Sequence, residues 1–374
     1  MFSFDYYQFV LTLTIIFLTF LLSFVVGVRE KKDIPLIFAL VIWHTFFCLA
    51  YYIFSFYNAA DATVYYQKAL LGNYEFYPGS RFVVLTTGLL YNLFDSNYLN
   101  SFLFFNIFGV LGLVLIFKIF KNYIGVLGAK WYLLLFTPSM SFWSSALGKD
   151  SIVFFGVSLF LYTVVTNKKN FFLLPISLFF IFMVRPHIAF VVVLSYFIYI
   201  LFVSKLHMFL KFFFISFLCI GIFFSLGFIK DYIGLDEASL AGVGDYVDYR
   251  QGLNQAGGSS FDLASMSYPM QMFTYTFRPL PFEAHSLLAL FTSFENSFFI
   301  LLFLYISFKT KFDFKGYFEN RNFWLFIYFI VSWSILAVTT ANLGIATRQK
   351  WMFMPIFIYL MIYVLYRYKV RKNT

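Results

Sequence analysis

The chain has 374 residues, of which 61% are hydrophobic and only 12% charged, with 27 Lys and Arg against 17 Asp and Glu. With a mean hydropathy of +0.81 it lies outside the range of soluble domains and predicts an all-α, polytopic membrane protein. The two cysteines, Cys48 and Cys219, sit inside apolar runs, and the four histidines are scattered. Nothing in this pattern suggests a disulfide framework, a zinc site or a redox pair, and no metal or cofactor is implied.

Runs long enough to cross a bilayer number about eleven. They fall near 9–28, 35–56, 102–120, 130–147, 151–166, 171–184, 188–204, 209–228, 286–308, 322–341 and 351–366. The first lacks a basic leader and a small-residue cleavage site, and it reads as a retained helix. Alternate connections gather Arg29, Lys31, Lys32, Lys118, Lys121, Lys130, Lys168, Lys169, Lys205, Lys211, Lys309, Lys311, Lys315, Arg321, Arg367, Lys369, Arg371 and Lys372. That is eighteen of the 27 basic residues, and by the positive-inside rule these connections are cytoplasmic. The amino terminus is then outside and the carboxyl terminus inside. The formal charge of +10 is a topology signal and not a nucleic-acid footprint.

The whole chain reads as one membrane domain, 1–374, with two long outer connections. The loop at 57–101 holds Asp61, Tyr65 and Tyr66, then a weakly apolar stretch from Phe82 to Phe94 that predicts a helix lying in the interface. The loop at 229–285 is acidic and glycine-containing, and loops of that length tend to be functional. The cytoplasmic connections are short and basic, so chemistry is expected on the outer face.

Candidate site residues stand at the outer ends of the expected spans: Lys149-Asp150, Arg185-Pro-His187, Arg278-Pro-Leu-Pro-Phe-Glu283-Ala-His285, and Arg348-Gln-Lys350. Glu295 falls inside the following span, where a carboxylate is functional or paired by default. Arginine forks and lysine point charges suit phosphate oxygens, which nominates Lys149, Arg185, Arg278 and Arg348. A carboxylate at the same depth suits general-base work, which nominates Asp61 or Glu283. Tyr65, Trp143, Asp150, His187, His285 and Lys350 are further substrate contacts. The bland readings are snorkelling anchors for the arginines and, for Lys149-Asp150, a polar turn in which Asp150 caps the next helix.

Four stretches carry a family resemblance: Asp61-Ala-x-x-Tyr65-Tyr66, Pro138-Ser-x-x-Phe142-Trp143-Ser144-Ser145-x-x-x-Lys149-Asp150, Arg185-Pro-His187 and Arg278-Pro-x-Pro-x-Glu283-Ala. With Gly88 to Phe94, and Arg348 before Met354-Pro355, the chain resembles bacterial membrane glycosyltransferases of the GT-C type and the Wzy-like and EpsG-like polysaccharide polymerases. The resemblance implies transfer of polyprenyl-(di)phosphate-linked sugars at the outer face of the cytoplasmic (inner) membrane, with Asp61 as base and the outer arginines on phosphate. It implies a polyprenyl-linked glycan, membrane lipid and a chain-length regulator or other assembly protein as partners, and no nucleic acid. A repeat-unit (O-antigen or capsule) polymerase is the leading expectation. An enzyme adding one sugar from a polyprenyl monophosphate is the alternative, and a lipid-linked glycan flippase or transporter is the rival from another class. The chain departs from the GT-C pattern in its outside amino terminus and in placing the aspartate after the second span.

Overall fold

The computed structural model describes residues 5–72, 74–166, 168–203, 207–213, 215–216, 260–263, 265–284 and 286–373. His285, most of the expected span at 209–228 and most of the loop at 229–285 lie outside the described residues. What is described is helical, with one isolated antiparallel bridge between Ser260 and Asn342. The chain divides into two compact units, residues 1–190 with 354–374 and residues 191–353.

The first unit comprises α1 (Tyr6–Gly27), α2 (Ile34–Tyr57), α3 (Asp61–Leu70), α4 (Ser80–Phe94), α5 (Tyr98–Leu127), α6 (Pro138–Ser144), α7 (Lys149–Val165), α8 (Leu174–Val184), the start of α9 (Pro186–Val203) and, from the end of the chain, α14 (Met354–Asn373). The long α5 is its axis. At 30 residues it is about 45 Å long, and α1, α2, α7 and α14 all pack on it. Apolar residues occur all round it because most of its length is buried.

The outer helix α1 buries a narrow stripe of mostly small or polar residues, Gln8, Thr19, Ser23 and Gly27 with Ile15, and packs on α5. Apolar side chains gain nothing by leaving lipid for an apolar neighbour, so close approach and hydrogen bonds set the pairing. Gln8 Nε2 donates to the Asp95 carbonyl at 2.6 Å, Asn100 Nδ2 donates to Gln8 Oε1 at 2.9 Å, and the Thr12 hydroxyl donates to Asn100 Oδ1 at 2.7 Å. At the opposite end of these helices, Asp33 Oδ2 accepts from the amides of Arg29 and Glu30 and from Lys121 Nζ at 2.8 Å. That cluster closes the α1–α2 turn against α5.

The second unit holds the rest of α9 with α10 (Tyr268–Phe277), α11 (Leu287–Lys309), α12 (Asn322–Thr339) and α13 (Leu343–Gln349). Indole and phenol groups join its helices. Trp324 Nε1 donates to Ser195 Oγ at 3.0 Å, Trp333 Nε1 to the Met272 carbonyl at 2.9 Å, and the Tyr328 hydroxyl to the Met352 carbonyl at 2.8 Å.

Among the described residues six helices are long and apolar enough to span a membrane, or up to eight if each of two broken pairs counts as one span. The expected span at 130–147 is not a straight helix. Gly128 turns the chain at φ 100°, residues Ala129–Phe136 form 3-10 turns, and Pro138, which has no amide hydrogen, opens the short α6. A four-residue break and a bend of 115° then lead into α7. Hydropathy reads this stretch as one run because the residues around the breaks are themselves apolar. The run at 171–184 is likewise too short to count alone. The stretch from Phe82 to Phe94 is helical, within α4.

Candidate functional site

In the first unit the loop expected at 57–101 folds against the start of α7 and the end of α8. The amide of Gly79 donates to the Met183 carbonyl at 2.9 Å, which sets Ser80, the first residue of α4, beside the α8–α9 junction. Ser80 is a meeting point. Lys149 Nζ donates to its hydroxyl at 3.3 Å, and the Tyr65 hydroxyl lies 3.5 Å away. Tyr65 is buried, its ring against Gly148, while Asp61 stands exposed one turn earlier at the head of α3. The helix dipole favours a carboxylate there.

Arg185 occupies the single-residue junction between α8 and α9. Its amide closes α8 by donating to the Ile181 carbonyl, and its own carbonyl accepts from Ile188 at 2.9 Å. Its side chain points inward, 8% exposed, with Nη2 3.2 Å from Asp150 Oδ1. Asp150 therefore does not cap α7; Gly148 is the cap residue and no side chain bonds the helix amides there. The Arg185 Nε is buried and has no hydrogen-bond partner, and an orphan donor of this kind calls for a polar guest. His187 is half-buried in the first turn of α9. Trp143 packs edge-on against Tyr51 and Phe142, with ring centres 5.6 and 5.1 Å apart.

The second unit gathers the later candidates. Arg278 and Glu283 form a two-point ion pair, Nε to Oε2 at 3.0 Å and Nη2 to Oε1 at 2.9 Å, each side chain 23% exposed. The Leu280 amide donates to the same carboxylate at 2.8 Å. Partial burial alone would raise the Glu283 pKa, but the bonds from Arg278 and Leu280 and the Arg278 charge outweigh it and hold the carboxyl below its usual range. A carboxylate so committed is a poor proton acceptor. Lys350 is almost fully buried, 1% exposed, and donates to Asn296 Oδ1 at 2.6 Å. Asn296 Nδ2 in turn donates to the Pro279 carbonyl at 3.3 Å, next to Arg278. Arg348 is half-buried on α13, and Glu295, beside Asn296, is half-buried on α11.

Two features escaped the sequence. One is His44, wholly enclosed, with Nδ1 2.6 Å from Asn106 Oδ1 and Nε2 2.9 Å from Ser144 Oγ. Its only sequence signal is a polar residue in each of three apolar runs. The other is Ser80, an ordinary loop serine until α3, α4 and α7 meet. Among the described residues no group of three or more His, Cys, Asp or Glu side chains is placed to hold a metal ion.

The long apolar helices and their exposed apolar side chains mark an all-helical, multi-pass membrane protein. Beyond that class, no protein-family model, curated protein or solved structure matches the chain.

Proposed function

We propose that the chain is a membrane glycosyltransferase of cell-surface polysaccharide assembly, acting at the outer face of the inner membrane on polyprenyl-(di)phosphate-linked sugars, as a repeat-unit polymerase. The observation that carries this reading is the convergence of Tyr65, Ser80 and Lys149 beside the Asp150–Arg185 pair, with an exposed Asp61 one turn before Tyr65 on α3. Lys149 would neutralise a phosphate oxygen, Ser80 and Tyr65 would donate to it or to a sugar hydroxyl, and Asp61 would take the proton of the attacking hydroxyl. The bond between the anomeric carbon and the phosphate oxygen breaks as the acceptor oxygen bonds to that carbon. A single-sugar transferase on a polyprenyl monophosphate uses the same groups.

Deletion of the gene tests the reading. Surface glycan should collapse from a length ladder to single repeats if the enzyme polymerises, or lose one sugar if it adds one. Unchanged glycan would refute both. A flippase is favoured by two other observations, the 115° break between α6 and α7 and the buried Lys350, since broken helices and enclosed charges mark transport pathways. Reconstituted in vesicles, a flippase moves a polyprenyl-linked sugar across the bilayer without lengthening it.

A further inference from the structure

His44 is the most enclosed imidazole among the described residues, and the catalytic reading makes no use of it. Both ring nitrogens are engaged, by Asn106 on α5 and by Ser144 on α6. Asn106 is turned by its other contact: Nδ2 donates to Thr45 Oγ1 at 3.0 Å, so its oxygen faces the ring and His44 Nδ1 carries the proton in the neutral form. Nε2 is then an acceptor, and the Ser144 hydroxyl can donate either to it or to the Met140 carbonyl, 2.6 Å away.

The chain makes room for this arrangement. A Cβ at Gly109 would collide with the His44 ring and with the Ser144 carbonyl oxygen, so α5 carries no side chain where the ring crosses it. Four residues from three helices are thus fitted to one another inside an apolar bundle, where unsatisfied polar groups are costly.

Its location gives the network a use. Ser144 is the last residue of α6, and the four residues after it form the break that delivers Lys149 and Asp150 at the head of α7. No side-chain cap fixes the α7 amides. The break is held by side-chain contacts on both sides, to His44 before it and to Ser80 and Arg185 after it.

We propose that His44 is a positioning residue: acting through Ser144, it fixes the end of α6 and so sets where Lys149 stands. This rests on reading Lys149 as an anion-binding group.

The test uses the full-length protein in detergent micelles, with two readouts. The first is binding of inorganic pyrophosphate. Ser144→Ala and His44→Leu should each weaken it about 10-fold, and the double variant no further, as coupled partners do. His44→Gln, which keeps a donor and an acceptor, should recover most of the loss. The second is the rate at which a maleimide labels Lys149→Cys, with Cys48 and Cys219 replaced by Ala. This rate should change several-fold when Ser144→Ala is added, whatever the protein binds. If Lys149→Ala weakens pyrophosphate binding while Ser144→Ala alters neither readout, the positioning role is overturned and the anion site stands. Additive losses in the double variant overturn it too. If Lys149→Ala binds pyrophosphate as the unaltered protein does, the anion-site reading fails, and the labelling rate alone decides the positioning role. Should His44→Leu not fold, Ser144→Ala and His44→Gln decide it.

Discussion

Replacing Asp150 by Ala strands the Arg185 guanidinium in the interior. The two side chains are 10% and 8% exposed and their charged atoms lie 3.2 Å apart. At an effective dielectric of about 20, unit charges at that 3.2 Å separation attract by about 5 kcal/mol. Much of that is offset in the intact protein by the desolvation of both groups. Removing one partner leaves the desolvation of the other in place, and breaking buried pairs in this way costs about 3–5 kcal/mol. Arg185 has little else to turn to, since its Nε already lacks a partner. The lower end, about 3 kcal/mol, is expected here because only one oxygen–nitrogen contact is made. Equilibrium unfolding in mixed micelles measures the loss. Replacing both residues, Asp150→Leu with Arg185→Met, should restore more than half of it, because no buried charge is left behind. Asp150→Ala within about 0.5 kcal/mol of the unaltered protein would refute the reasoning, as that is the scale of an ordinary surface substitution.

Other outcomes follow from the same geometry. Asn296→Leu removes the acceptor for Lys350 and should destabilise the second unit by about 2–3 kcal/mol, and Lys350→Met, which leaves the buried Asn296 oxygen without its donor, by about 1–3 kcal/mol; unfolding of the two variants side by side checks this. Gly109→Ala forces a methyl group into the His44 ring and a carbonyl oxygen, with an expected loss of about 1–3 kcal/mol in the same assay. The Glu283 carboxyl titrates below its ordinary range in the folded protein. Its contribution is therefore full above the unfolded value of about 4.3 and is lost as pH falls through the lower, folded one. Melting temperature measured down an acid series should lose that component in Glu283→Gln; an unchanged acid profile would contradict it.

Much of the architecture is legible without coordinates. Long apolar runs mark α1, α2, α9, α11 and α12 within a few residues, and the middle of α5, which runs on to Leu127, because a span must satisfy its own backbone and be apolar over most of its length. Hydropathy is blind to direction, so the stretch from 130 to 147 reads as one straight helix, although Gly128 and Pro138 lie within or beside it. The site is legible in part for a related reason. Charge among apolar residues is conspicuous, and Lys149, Asp150 and Arg185 were visible as candidates. Their pairing was not, since thirty-five positions separate Asp150 from Arg185 and only the packing of α7 on α8 brings them together.

The sequence by itself determined that the chain is helical and membrane-spanning, and which residues are too polar for their surroundings. Those are properties of composition along the chain, set by the transfer of each segment between water and lipid. Tertiary structure alone decided which of those polar residues satisfy one another. Asp150 turned from a helix cap into the partner of Arg185, Glu283 became bound to Arg278, and His44, inconspicuous in the chain, was set between Asn106 and Ser144. A buried polar group must find its partner in space, and the partner's position along the chain has no bearing on that distance.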